Sequence, residues 1–104
     1  MQTAEKISTL ELVKERQIRR KNLWSVIFHN DDVTTMEFVV WALQKYFNKS
    51  EEEAVSLMYR VHLRGRAKVA VYPKEIAETK AEIVQQAARS NNFPLTVTIQ
   101  EERQ

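Results

Sequence analysis

The spacing of hydrophobic positions changes repeatedly along this chain. From Leu23 to His29, Trp24, Val26 and Phe28 alternate with Ser25, Ile27 and His29. A period of two predicts a strand with one mainly apolar face. The period then lengthens: Met36, Val39, Val40, Leu43, Tyr46 and Phe47 follow helical spacing and predict an amphipathic helix. Thr34 followed by Glu37 reads as a capping box, which starts that helix near Thr35, and Asn48-Lys49 breaks it. Ser50 and Glu53 form a second capping box. They open a helix that runs to about Arg64, with Ala54, Leu57, Met58 and Val61 on one face and Gly65 at its end. A β-branched run over 68–72 predicts a second strand. Pro73 fits the first turn of a third helix, which Ile76, Ala77, Lys80, Ile83, Val84 and Ala87 carry to about Ser90. Asn91-Asn92 and Pro94 end it, and alternation over 96–99 predicts a third strand. The order β-α-α-β-α-β predicts an α+β fold: a small three-stranded antiparallel sheet packed against three helices.

Residues 1–22 do not join this pattern. They are mostly polar, with Ile7, Leu10 and Val13 at loosely helical spacing and a basic cluster at Arg16, Arg19, Arg20 and Lys21. The expectation is a flexible N-terminal extension over 1–22 ahead of a core over 23–104. At 104 residues the chain is one domain, and 43% hydrophobic content supports a core of modest size. No apolar run approaches the ~20 residues that span a bilayer, and the N-terminus lacks the apolar stretch of a secretory signal. No membrane partner is therefore expected. The chain has no Cys, which rules out disulfides and thiolate metal sites and fits a cytoplasmic location. A net charge of +2 does not imply a polyanionic partner, and the basic cluster has no interleaved aromatics, so no nucleic acid is expected. With one Gly in the chain, a glycine-cradled phosphate site is excluded.

The chemistry concentrates at Asn30-Asp31-Asp32. An amide and two acids end a strand directly before an apolar helix face. Negative charge beside an apolar surface suits a ligand with a cation at one end and a hydrophobic group at the other, such as a peptide amino terminus. Met58 and His62 are one helical turn apart with Val61 beside them, and Met36 and Val39 share a face of the preceding helix. Packed as a hairpin, the two helices would line one cavity. Residue types alone leave a second reading open, in which these side chains are core and Asn-Asp-Asp is turn and helix-start chemistry. The alternative from another class is a small metal-dependent hydrolase using His29, Asp31 and His62. No ligand pair at helical i,i+4 spacing supports it, and Ser25 lacks a nucleophile-elbow context.

Four motifs, in order, resemble the Clp protease adaptor family, ClpS: residues 30–39, Leu57-Met58 with His62, residues 75–80, and Pro94-Leu95. The resemblance runs from Leu23 to about Glu101; Thr35 stands where many members have Pro. It implies a monomeric, non-catalytic adaptor of the bacterial N-degron pathway, with neither cofactor nor metal. Such adaptors bind substrates whose first residue is Leu, Phe, Tyr or Trp and deliver them to a ClpA- or ClpC-type AAA+ unfoldase paired with the ClpP peptidase. By position, the resemblance implies that Asn30, Asp31 and His62 hold the substrate α-ammonium. Thr34, Met36, Val39, Met58, Val61 and Leu95 correspond to the side-chain pocket, with Asp32 at its rim and Met36 as a gate against β-branched first residues. Glu75 and Lys80 correspond to the unfoldase contact, and the N-terminal extension to the family's mobile arm.

Overall fold

A computed structural model describes residues 23–102; the expected extension over 1–22 lies outside them. The elements follow the predicted order. Strand β1 (Leu23–His29) leads into helices α1 (Met36–Phe47) and α2 (Glu51–Arg64), then strand β2 (Arg66–Pro73), helix α3 (Lys74–Ser90) and strand β3 (Thr96–Glu101). The sheet order is β2-β1-β3, and both pairings are antiparallel.

The central place of β1 explains its burial on both faces. Val26 and Phe28 are fully buried, as the alternation predicts, but Ser25 and Ile27 on the other face are also buried, covered by the flanking strands. Ser25 donates a hydrogen bond to Glu102, which also pairs with Lys68 at 3.0 Å. The Ser25 hydroxyl, then Lys68, hold the Glu102 carboxyl below its ordinary pKa. The Glu102 amide donates to the Leu23 carbonyl at 2.9 Å, so the two ends of the described chain lie side by side. The β1–β2 register shifts between Val26 and Ile27, so that Val26 faces Ala70 while Ile27 faces Lys68. This bulge sets Val69 in the ladder as an extra residue. Ala67 and Val69, two residues apart on one face, are both buried in the core.

The core lies between the sheet and the helices. Phe47 of α1 meets Phe28 edge-on at 5.7 Å between ring centroids. Helix α3 buries Ala77, Ala81, Val84 and Ala88. Small residues at these intervals let its backbone approach the sheet closely. Leu95, in the link to β3, is among the largest fully buried side chains.

Several local expectations change. The N-cap of α1 is Thr35, whose hydroxyl accepts from the Phe38 amide at 3.1 Å; Thr34 and Glu37 form no capping box. Thr34 is instead drawn back to Asp31, which outcompetes the helix for its hydroxyl. Strand β2 extends beyond 68–72, and β3 beyond 96–99, because β1 offers paired backbone along its whole length. Pro73 precedes α3 as its N-cap and closes β2, rather than sitting in the first helical turn. Within α1 the buried set includes Phe38 and Ala42, whereas Met36 is 40% exposed. The capping box of Ser50 and Glu53 forms as predicted, and Gly65 ends α2 at φ +87°, the left-handed region where glycine is unstrained.

Candidate functional site

Two backbone devices build the site. The Asn30 amide donates to the Gly65 carbonyl at 2.8 Å, and the Gly65 amide donates to the Val61 carbonyl at 2.9 Å. The end of β1 is thereby pinned to the end of α2, next to the turn that carries His62. Beyond Asn30 the chain folds around the Asp31 carboxylate. Oδ1 accepts from the amides of Val33 at 2.8 Å and Thr34 at 2.6 Å, and Oδ2 accepts from the Thr34 hydroxyl at 2.7 Å. This closes the loop and hands the chain to Thr35, the cap of α1.

The loop and the two helices enclose a cavity of about 230 Å³, lined by Asn30, Asp31, Asp32, Thr34, Thr35, Met36, Val39, Met58 and His62. Val39 and Met58 are almost wholly buried and supply the apolar wall, while Met36 stands at the exposed mouth. The volume lies below the roughly 300–1,000 Å³ of drug-sized pockets, which suits a single side chain.

The electrostatics favour a cation. Partial burial pushes the Asp31 carboxyl pKa up, but the hydrogen bonds from Thr34 and Val33 and the charge of Arg89 outweigh it and hold the group below its ordinary value. A carboxylate has about four acceptor positions, and the loop takes three of them. One remains on Oδ2. The negative end of the α2 dipole lies at the same corner, since α2 ends at Arg64 beside Asn30. Asn30 and His62 line the same cavity as this carboxylate.

A family model described as ATP-dependent Clp protease adaptor protein ClpS matches residues 19–98. This chain belongs to the ClpS family. It is 46% identical over 91 residues to the ATP-dependent Clp protease adapter protein ClpS of Lawsonia intracellularis, covering 88% of this chain and 84% of the relative. It is 38% identical over 101 residues to that of Shewanella pealeana, covering 97% of this chain and 99% of the relative. Among solved structures it is similar to Agrobacterium tumefaciens ClpS2 bound to L-phenylalaninamide. The TM-score is 0.76 and the identity 37%, over 78% of this chain and 98% of the other.

Within this ClpS-family fold, most residues expected at the site converge on the cavity. Val61 and Leu95 do not line it. Val61 is 3% exposed and Leu95 1%, and both belong to the core. Thr35 lines the cavity and was not expected there, because the predicted helix start assigned the capping role to its neighbour. Arg89 was missed as well. Its guanidinium donates to the carbonyls of Phe93 and Leu95, both at 2.9 Å, which fixes the segment that seats Leu95. No sequence motif singles out Arg89.

His29 points elsewhere. Its Nε2 lies 2.7 Å from the Thr98 hydroxyl on the sheet, and it is absent from the cavity wall. Among the described residues no group of three His, Cys, Asp or Glu side chains is placed to hold a metal ion. Glu75 is exposed in the first turn of α3. Lys80 is committed inward: its Nζ donates to the Tyr46 carbonyl at 2.5 Å and lies 5.7 Å from the Tyr72 ring centroid. A larger depression of about 540 Å³ lies on the outer face of the sheet, lined by Arg60, Arg64, Arg66 and Lys68 with Glu101 and Glu102. Its four cationic side chains outnumber the two acids, so it does not favour a cation as the cavity does. Among the described residues no helix is long and apolar enough to cross a membrane.

Proposed function

We propose that this Clp protease adaptor captures proteins by a free amino-terminal Leu, Phe, Tyr or Trp and delivers them, uncleaved, to a ClpA- or ClpC-type unfoldase paired with ClpP. The observation that carries the reading is one cavity with an ionised carboxylate at one end and buried Val39 and Met58 at the other. Asn30, Asp31 and His62 hold the α-ammonium. Thr34, Thr35, Met36, Val39 and Met58 receive the side chain, Asp32 stands at the rim, and Val61 and Leu95 support the wall from behind. That ClpS2 is bound to L-phenylalaninamide supports the choice of ligand: a free amine next to an aromatic side chain.

The magnitudes fit. Burying a Leu or Phe side chain contributes roughly 1.5–3 kcal/mol, and each charged hydrogen bond adds about as much. Two or three such bonds, less the cost of association, give an affinity of about micromolar or better. Blocking the amine removes its charge and leaves the Asp31 carboxylate without its cationic partner. A second branch at Cβ collides with Met36.

In this reading the adaptor is a cytoplasmic monomer that needs no metal or cofactor and catalyses nothing. Its core over 23–104 holds the substrate, while residues 1–22 and the α3 surface around Glu75 face the unfoldase, with Lys80 supporting that surface. The metal-dependent hydrolase reading loses its third ligand with His29 on the sheet. Fluorescence anisotropy with peptides differing only in their first residue tests the proposal. Leu, Phe and Trp peptides bind, whereas Ile and acetyl-Leu peptides do not. Equal binding of Leu and acetyl-Leu peptides would overturn it.

A further inference from the structure

A second groove adjoins the cavity. Its volume is about 430 Å³, and its apolar lining comes from Met36, Val40 and Trp41 of α1 and Val55, Met58 and Tyr59 of α2. Two of these residues, Met36 and Met58, also wall the cavity, so the compartments meet across their side chains. Trp41 is 43% exposed and Tyr59 50%, an unusual amount of aromatic surface to leave open on a small domain. Trp41 is nonetheless held in place: its ring packs 5.6 Å from Phe38 and 5.7 Å from Tyr46 between centroids, and the Lys45 ammonium lies 5.5 Å from it. A fixed, exposed aromatic loses little freedom on binding, which is the property of an anchor.

We infer that this groove is a second subsite for the same peptide and takes an apolar side chain at its third residue. The inference rests on the function proposed above. The repeat of an extended peptide fits this register. Side chains of an extended peptide alternate, so the first and third point the same way, about 6.8 Å apart along the chain. Met36, at the mouth of the cavity, and Val40, in the groove, are one helical turn apart, about 6 Å. A third side chain therefore arrives over Val40, between Trp41 and Tyr59, when the first is seated against Val39 and Met58. The second points to solvent. The occupant is apolar because aromatic and aliphatic side chains outnumber Glu37 and Gln44 in the lining, and it belongs to the same peptide because Met36 and Met58 line both compartments.

The test compares labelled peptides beginning Leu-Ser-Ser, Leu-Ser-Phe and Leu-Phe-Ser, plus acetyl-Leu-Ser-Phe, on the full chain and on Tyr59→Ser and Trp41→Gln. Neither residue lines the cavity, and the half-exposed Tyr59 is replaceable without disturbing the fold. Leu-Ser-Phe should bind about fivefold tighter than Leu-Ser-Ser, the ratio given by burying roughly 40 Å² of apolar surface. Both variants should abolish that gain and leave Leu-Ser-Ser unchanged. Equal binding of Leu-Ser-Ser and Leu-Ser-Phe, or a gain confined to Leu-Phe-Ser, would overturn the subsite and leave the amino-terminal reading intact. Tyr59-dependent binding of the acetylated peptide would assign the groove to a separate apolar partner and overturn it too. Failure of every free Leu peptide to bind would overturn both.

Discussion

Thr34 is joined to Asp31 twice, through its amide to Oδ1 and through its hydroxyl to Oδ2. One carboxylate thus both shapes the loop and presents charge to the cavity. These roles share a titration. The Asp31 pKa is lowered on folding, so the group contributes stability above its unfolded value of 3.8 and loses that contribution as pH falls through the lower folded value. The loop should therefore remain closed at pH 5 and open only in stronger acid, below pH 3.8. Following the Asp31 carboxyl carbon and the Thr34 amide by NMR checks this; a common midpoint above 3.8 would contradict it.

Substituting Asp31 separates charge from shape. Asp31→Asn keeps an oxygen for the Val33 and Thr34 amides but loses the negative charge. Leu-peptide binding should weaken by about tenfold to a hundredfold, with the melting temperature little changed. Asp31→Ala should remove binding and also lower stability by about 1–2 kcal/mol, since three loop hydrogen bonds disappear together. Urea denaturation beside anisotropy distinguishes the two variants.

The neighbouring threonines should respond differently. Thr35→Ala removes the α1 cap and should cost about 1 kcal/mol of stability. Thr34→Ala leaves the cap and frees Asp31 Oδ2, so the Asp31 pKa should rise towards its ordinary value while the helix stays intact. Circular dichroism melts and the carboxyl titration read these effects separately.

Lys80 offers a check on the surface around α3. Its ammonium joins α3 to the end of α1 through the Tyr46 carbonyl and lies near the Phe47 and Tyr72 rings. Lys80→Met should lower stability by about 1–2 kcal/mol. Glu75→Gln, on an exposed site, should leave stability unchanged. Equal melting temperatures for the two variants would show that the Lys80 contacts contribute nothing.

Elements with strong periodicity were legible because the physics that sets them is local. Ser50 and Glu53 cap α2 as a box, and Gly65 ends it, through contacts within a few residues. Helix α3 was likewise readable to Ser90. The choice between Thr34 and Thr35 was not, because it depends on which partner wins the Thr34 hydroxyl, and Asp31 wins only once the loop has closed. The depth of the cavity was illegible for a related reason. Val61 and Val39 have the same chemistry, and only the packing of α1 on α2 decides which faces the cavity. Arg89 acts across the fold on Phe93 and Leu95 carbonyls, a relationship that residue spacing does not encode.

The pairing of Glu102 with Leu23 has a practical consequence. Asn30 and the cavity follow the last residue of β1, whereas the chain enters at its first and leaves beside it. Seven residues of strand place these poles about 23 Å apart. A dye or a linkage fixed on Leu23 or Glu102 itself therefore sits at the far pole. Anchored at either of these two residues, the domain turns its cavity outward.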